Sequence, residues 1–188
     1  MGTVNGLPAH VLLVHAIVVL LPLAALLLVL TAAWPAARRR FGAANAILSV
    51  LVVALVPVTT SAGEWLEHRL PETALLRDHT ELGDTAIWAA IPVAILALGI
   101  WWRQREETPT TDASATDGSN VATATRRRTY LAPRSVTVTG LIAALAVVLA
   151  GWAVYDTYRI GDSGSKAAWT GKFSSTASQD GPGRPPTD

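Results

Sequence analysis

The sequence lacks cysteine, has few charged residues, and carries no basic patch interleaved with aromatic residues. Without cysteine there are no disulfides, iron–sulfur clusters or thiolate nucleophiles, so histidine and carboxylate side chains are the remaining strong metal ligands. Only 15% of the 188 residues are charged, well below the roughly 25% of a soluble domain. The net charge of +1 carries no message about nucleic acid. The basic residues are spread along the loops rather than gathered in a patch, which argues against nucleic-acid binding.

What the sequence has in abundance is long apolar runs. A helix of about 20 apolar residues crosses the roughly 30 Å hydrocarbon core of a bilayer. Apolar surface on every side of such a helix requires lipid around it. We therefore predict four transmembrane helices and a lipid bilayer as partner, with the spans at Val11–Ala33, Ala43–Ala62, Thr85–Trp102 and Val136–Tyr155. No Lys or Arg precedes the first run, which favours a retained span over a cleaved signal peptide.

The basic residues between the spans predict an orientation. Nine arginines follow the first span or lie between the third and fourth, at positions 38–40, 103, 105, 126–128 and 134. The segment before the first span has none, and the connection between the second and third has only Arg69 and Arg77. The positive-inside rule then places both termini outside a multi-pass protein of the cell membrane.

The connections divide the chain into segments. Residues 1–102 hold the first three spans, and residues 103–134 are predicted to be a disordered cytoplasmic linker because they are polar and lack apolar periodicity. Residues 135–172 hold the fourth span and an outer tail motif, and residues 173–188 form a Ser/Gly/Pro-rich tail that we also expect to be disordered.

The connection at about residues 63–84 reads as an outward-protruding helical hairpin. Glu64–Leu70 continues the second helix, and Pro71 suits the first turn of a new one. In the outer tail, Gly161 and Gly164 predict a tight turn. Polar residues around that turn are expected to bond the hairpin: Asp162, Ser163 and Lys166.

All four histidines fall on the predicted outer side: His10, His15, His68 and His79. His15 lies within a span, where an ionisable side chain is costly and usually faces the interior. Pro22, seven residues on, marks the face we expect to be packed. Glu64 and His68 are four residues apart on the second helix, so both could ligate one ion.

These residues leave three functional readings open. The first is a haem or transition-metal site, with His15, His79, His10 and His68 as cofactor ligands and His15, Glu64, His68 and His79 as metal ligands. The favoured pair of ligands is His15 with His79, supported by Glu64 or His10. The second is proton or ion movement through His15 and Glu64. The third is a membrane scaffold that binds other membrane proteins and carries no cofactor. No catalytic motif is present, which favours a non-enzymatic role.

Several short blocks resemble a known family. They are Gly6–His10 followed by Val14-His15, the block Ala62–His68, the block Leu76–Gly83, and the stretch Arg159–Trp169. Together they resemble the bacterial membrane proteins grouped as domain of unknown function 2231. The resemblance implies a small polytopic bundle of unassigned activity and supplies no catalytic residues.

The predicted fold class is accordingly all-α, a four-transmembrane-helix bundle with a helical hairpin between helices 2 and 3. Small residues let membrane helices approach closely. The candidate packing positions are Ala24, Ala25, Ala54, Ala89, Ala90, Ala143, Ala144 and Gly151.

Overall fold

The computed structural model describes residues 2–107 and 135–172 of the chain. Within them it contains one short strand pair and five helices. The strands are β1 (Thr3–Val4) and β2 (Leu7–Pro8), and the helices are α1 (Ala9–Ala33), α2 (Pro35–Glu67), α3 (Ala74–Gly83), α4 (Ala86–Glu107) and α5 (Val136–Trp169). Residues 103–107 of the predicted linker form the helical end of α4. The rest of the linker, residues 108–134, and the tail after residue 172 lie outside the described residues.

Among the described residues, four helical stretches are long and apolar enough to cross a membrane: α1, α2, Ala74–Glu106, whose apolar run lies in α4, and α5. The expectation of an all-helical protein with four apolar helices is confirmed. Many large apolar side chains on their outer surfaces are exposed, including Val19, Ile47, Ile95 and Val148. In water such a surface would be unfavourable, so the architecture fits a multi-pass membrane protein.

The long helices contact one another through small side chains. Helix α1 packs against α2 and α5, and α4 packs against α2 and α5. Ala24, Ala25, Ala89 and Ala90 are buried at these contacts, as predicted. Ala54, Ala144 and Gly151 are exposed instead, because a small side chain permits close approach but does not specify which face of a helix is covered.

One end of the molecule, which we call the α3 end, gathers the start of α1, the end of α2, helix α3 and the end of α5. The antiparallel pair β1–β2 turns through Asn5 and Gly6, both with positive φ, and the Ala9 N–H donates to the Gly2 carbonyl. Gly2 lies against the Trp65 ring. The strand pair therefore fixes the start of α1 on the end of α2.

The opposite end, the arginine end, joins α1 to α2 through the single residue Trp34. Arg38 closes this corner: its Nε donates to the Thr31 carbonyl at 2.8 Å and its second terminal nitrogen to the Ala32 carbonyl at 2.7 Å. These carbonyls belong to the last turn of α1, where helix acceptors lack backbone donors. Arg38 to Arg40 thus lie on α2, which begins earlier than the predicted second span.

Two predicted boundaries are wrong. Helix α3 begins at Ala74 rather than at Pro71, because the Thr73 hydroxyl accepts from the Leu76 N–H at 3.1 Å and caps the helix. The predicted turn at Gly161 and Gly164 is absent, since α5 continues as a regular helix through both residues to Trp169.

A candidate paired-histidine site at the α3 end

His10 is held at the start of α1 by the end of α2. Its Nδ1 lies 3.0 Å from the Thr59 carbonyl oxygen. A carbonyl can only accept, so Nδ1 carries the ring proton and donates. The ring lies over Gly63, where a Cβ would come within 3.0 Å of His10 Cε1 and Nδ1. Gly63 therefore leaves the space that this imidazole fills.

His79 is held in the same manner by α5. Its Nδ1 lies 3.0 Å from the Ser163 hydroxyl, and that hydroxyl donates its own proton to the Ile160 carbonyl at 2.9 Å. The Ser163 oxygen consequently accepts from Nδ1–H of His79. Beneath the ring, a Cβ at Gly164 would lie 2.9 Å from His79 Cε1. The expected bond from Ser163 to the connection between helices 2 and 3 is present.

The two rings meet where these helices converge. Their centroids are 6.2 Å apart and their planes are inclined by 73°. With Nδ1 of each ring donating, each Nε2 keeps a lone pair. A ligating histidine typically has this arrangement, in which one ring nitrogen donates to the protein and leaves the other free for an ion.

A cavity of about 60 Å³ opens beside the pair. Apart from the two histidines and the threonine hydroxyls, its walls are apolar, and no carboxylate is among its lining residues. They comprise His10, Val14, Ile17, Val18, Leu21, Val56, Thr59, Thr60, His79, Gly83, Ala86, Thr157 and Ile160. The space suits an ion or a few water molecules and is far below the roughly 300–1,000 Å³ of a pocket that encloses a larger ligand.

Burial lowers the pKa of His79 below its ordinary value of 6.5. The neighbouring His10 lowers it further, whereas the Ile160 carbonyl acts in the opposite direction. His79 belongs to α3, which carries three charged residues among ten and precedes the apolar run of α4. A lowered pKa keeps this imidazole neutral near pH 7, which is the form that binds metals.

His15 does not join the pair. It is exposed, and its Nδ1 bonds the Val11 carbonyl of its own helix. The expectation that it faces the packed side is wrong, because it precedes buried Leu21 by six residues, or about 120° around a helix. His10 precedes Leu21 by eleven residues and falls within about 20° of it. Helical periodicity therefore favours His10 over His15.

The predicted pairing of Glu64 with His68 as ligands is not formed either. Both side chains are exposed, and the His68 Nδ1 donates to the Glu64 backbone carbonyl at 2.6 Å rather than approaching its carboxylate. Within the described residues no three histidine, aspartate or glutamate side chains are grouped to hold a metal. Of the predicted ligands, the structure brings together His10 and His79.

Asp156 is a buried polar residue that sequence reasoning missed. It lies on α5 with 4% of its surface exposed, and its Oδ1 accepts from the Thr85 hydroxyl at 2.9 Å. Its Oδ2 has no partner among the described residues. The signal was available: a carboxylate directly after an apolar run of membrane-span length merits notice. Asp156 ties Thr85, the residue before α4, to α5.

No protein-family model, curated protein or solved structure matches this chain.

Proposed function

We propose that this chain is a four-helix membrane bundle that binds a transition-metal ion between His10 and His79. The observation that carries the proposal is the pair of imidazoles 6.2 Å apart, each anchored through Nδ1 with a lone pair on Nε2. Imidazole is a ligand suited to zinc, copper, iron and nickel. Because the two rings belong to α1 and α3, an ion shared between them would join two helices.

Haem is the less favoured occupant. A cavity of about 60 Å³ does not enclose a porphyrin. The four metal ligands expected from the sequence do not lie together in the structure. They are His15, Glu64, His68 and His79. The proposal therefore narrows the ligand set to His10 and His79, with His15, His68 and Glu64 outside it.

The proposal includes the setting of the site. The described part of the arginine end carries Arg38, Arg39, Arg40, Arg103 and Arg105, and the positive-inside rule assigns such an end to the cytoplasm. The α3 end, with its paired histidines and the hairpin formed by the end of α2 and α3, then faces the outside of the cell membrane. Membership of the group called domain of unknown function 2231 is part of the same proposal and is supported by the four sequence blocks that resemble it.

The test is metal content after purification in detergent and loading with copper or zinc. We expect about one ion per chain in the wild type and loss of that ion in His10→Ala and His79→Ala. His15→Ala and His68→Ala are matched controls, because each removes an exposed histidine that also donates through Nδ1, and both should retain the ion.

A scaffold without a cofactor predicts a different result. The wild type and all four variants would then bind no stoichiometric metal, or the metal content of all four variants would change by the same amount. Either result would replace the metal site by the alternative in which the histidines serve only to join helices.

A further inference from the structure

We propose that the His10–His79 site selects univalent copper over divalent metal ions. This inference rests on the proposed metal site and goes further by naming its ligand. The reasons are the charge of the donor set, the number of donors and the separation of the two rings.

Charge is the first reason. Imidazole donors bring no negative charge, and none of the described residues that line the cavity carries a carboxylate to compensate an ion. Burying an unpaired charge is costly, and the Born cost grows with the square of the charge, so a divalent ion costs about four times as much as a univalent one. The site therefore favours an ion with a single positive charge that is also bound by imidazole.

The number of donors points to the same ion. Structural zinc is almost always four-coordinate, and the described residues offer no group of three or more suitable ligands. Calcium and magnesium require several oxygen ligands, which the apolar walls do not supply. Univalent copper, a closed-shell ion, is stable with two nitrogen donors in line.

The ring geometry is compatible with linear coordination. Placing an ion about 2 Å from one nitrogen of each ring, in line with both, sets the ring centres roughly 6 Å apart. The observed separation is 6.2 Å. The 73° between the ring planes is no obstacle, because linear coordination leaves each ring free to rotate about the nitrogen–metal–nitrogen axis.

The experiment uses the full chain in detergent, under anaerobic reducing conditions. Copper(I) is added, and in parallel silver(I), which shares its preference for two donors and is not readily oxidised. Each loaded sample is then challenged with about a tenfold excess of zinc(II). We expect one copper(I) or one silver(I) ion per chain, and each should stay bound during the zinc(II) challenge. Copper(I) and silver(I) should also compete with each other for the same site.

The variants locate the ion. His10→Gln and His79→Gln keep a hydrogen-bonding amide in place of each ring and should lower copper(I) affinity at least about tenfold. Their elution as monodisperse particles, compared with the wild type, separates a lost ligand from a lost fold. His15→Gln and His68→Gln should leave the affinity unchanged.

The outcomes distinguish the two proposals. Displacement of copper(I) by zinc(II), or tighter binding of zinc(II) at His10 and His79, would overturn the selectivity and leave the metal site intact. Failure of every ion to bind would overturn both. Copper(I) bound with equal affinity in all four variants would place the ion elsewhere and also overturn both.

Discussion

At the scale of single residues, the four histidines have the same side chain but differ in what their positions let them bond. All four histidines donate through Nδ1, but His15 and His68 bond carbonyls four residues away on their own helices. His10 and His79 instead bond across helices, to Thr59 and Ser163. Only a histidine held by a second helix has its free nitrogen directed by the tertiary structure, which separates a candidate ligand from a solvated side chain.

The pKa of His79 predicts a pH dependence of stability. Because this pKa is lowered in the folded protein, the unfolded chain takes up a proton at a higher pH than the folded chain does. Below the ordinary value of 6.5 the unfolded state therefore binds more protons, and stability falls as the pH drops. We expect the melting temperature to decrease from pH 7.5 to pH 5.5.

His79→Gln removes the group whose protonation causes this effect, so its melting temperature should fall less between pH 7.5 and pH 5.5. His68→Gln alters an exposed ring and should keep the decrease of the wild type. Thermal unfolding in detergent at several pH values measures both. Parallel curves for the wild type and His79→Gln would show that His79 does not govern the acid sensitivity.

Gly164 offers a second test at the residue scale. In Gly164→Ala the new Cβ would lie 2.9 Å from His79 Cε1, so the ring must shift and its bond to Ser163 must weaken. We expect a loss of about 1–3 kcal/mol in unfolding free energy and weaker metal binding. The matched control is Gly161→Ala on the same helix, where nothing lies within 4 Å of a new Cβ.

Gly161→Ala should be neutral or stabilising by up to about 1 kcal/mol, since alanine favours a helix interior over glycine. Unfolding titrations of the two variants give the comparison. Equal effects at both glycines would mean that the ring is not packed on Gly164.

At the scale of elements, the long apolar helices could be predicted from composition, but their ends could not. The apolar core of α2 was evident, yet the helix runs from Pro35 to Glu67, roughly 50 Å at 1.5 Å per residue. The charged residues at both ends of α2 continue the helix beyond its apolar run, so the apolar run alone does not mark where the helix begins and ends. The Asn5-Gly6 turn is a known hairpin signal that sequence reasoning passed over.

The end of α5 could not be predicted from residue preferences. Glycines at 161 and 164 are typical of a turn, and tertiary contact reverses that preference at Gly164, which is required for the approach of His79. In the same way, the small residues of the spans were recognised, but Ala54 and Ala144 could not be distinguished from Ala24 without knowing which helices are neighbours.

Asn45 joins α2 to α1 through its side-chain amide. It is buried on α2, and its amide fits with nitrogen donating to the Ala24 carbonyl at 3.1 Å and oxygen accepting from the Leu28 N–H at 3.2 Å. Polar contacts between membrane helices contribute about 0.6 kcal/mol on average and up to roughly 1.7. Asn45→Ala should therefore destabilise the protein by about 1 kcal/mol.

The control for Asn45→Ala is Ile47→Ala, two residues along the same helix, where the side chain is 70% exposed. It should change the unfolding free energy little in detergent. Unfolding in increasing denaturing detergent compares them, and a larger loss at position 47 would place the α1–α2 contact on another face.

At the scale of the whole molecule, the distribution of charge predicts the orientation. Because the chain has no cysteine, single cysteines can be introduced without a background. In intact cells, a cysteine at Glu72, which is exposed before α3, should react with a membrane-impermeant thiol reagent. A cysteine at Ser114 should react only after the membrane is opened, and the reverse pattern would invert the topology.

The number of apolar helices follows from the sequence alone, because lipid imposes their length and composition. The site does not, since it depends on how α1, α2, α3 and α5 converge. Sequence reasoning placed every histidine at one end, but it paired His79 with His15 and gave His10 only a supporting place. It ranked His15 first because the position of His15 within a span and the face that it shares with Pro22 were both taken as signs of packing.

The central claim is that His10 and His79, and neither of the other histidines, share one ion. Nitrogen NMR of ¹⁵N-histidine-labelled protein, assigned with the four single variants, tests this directly as silver(I) is added. We predict that the Nε2 resonances of His10 and His79 shift together and saturate at one ion per chain, while those of His15 and His68 stay in place. Shifts at His15 or His68, or none at His10 and His79, would contradict the claim.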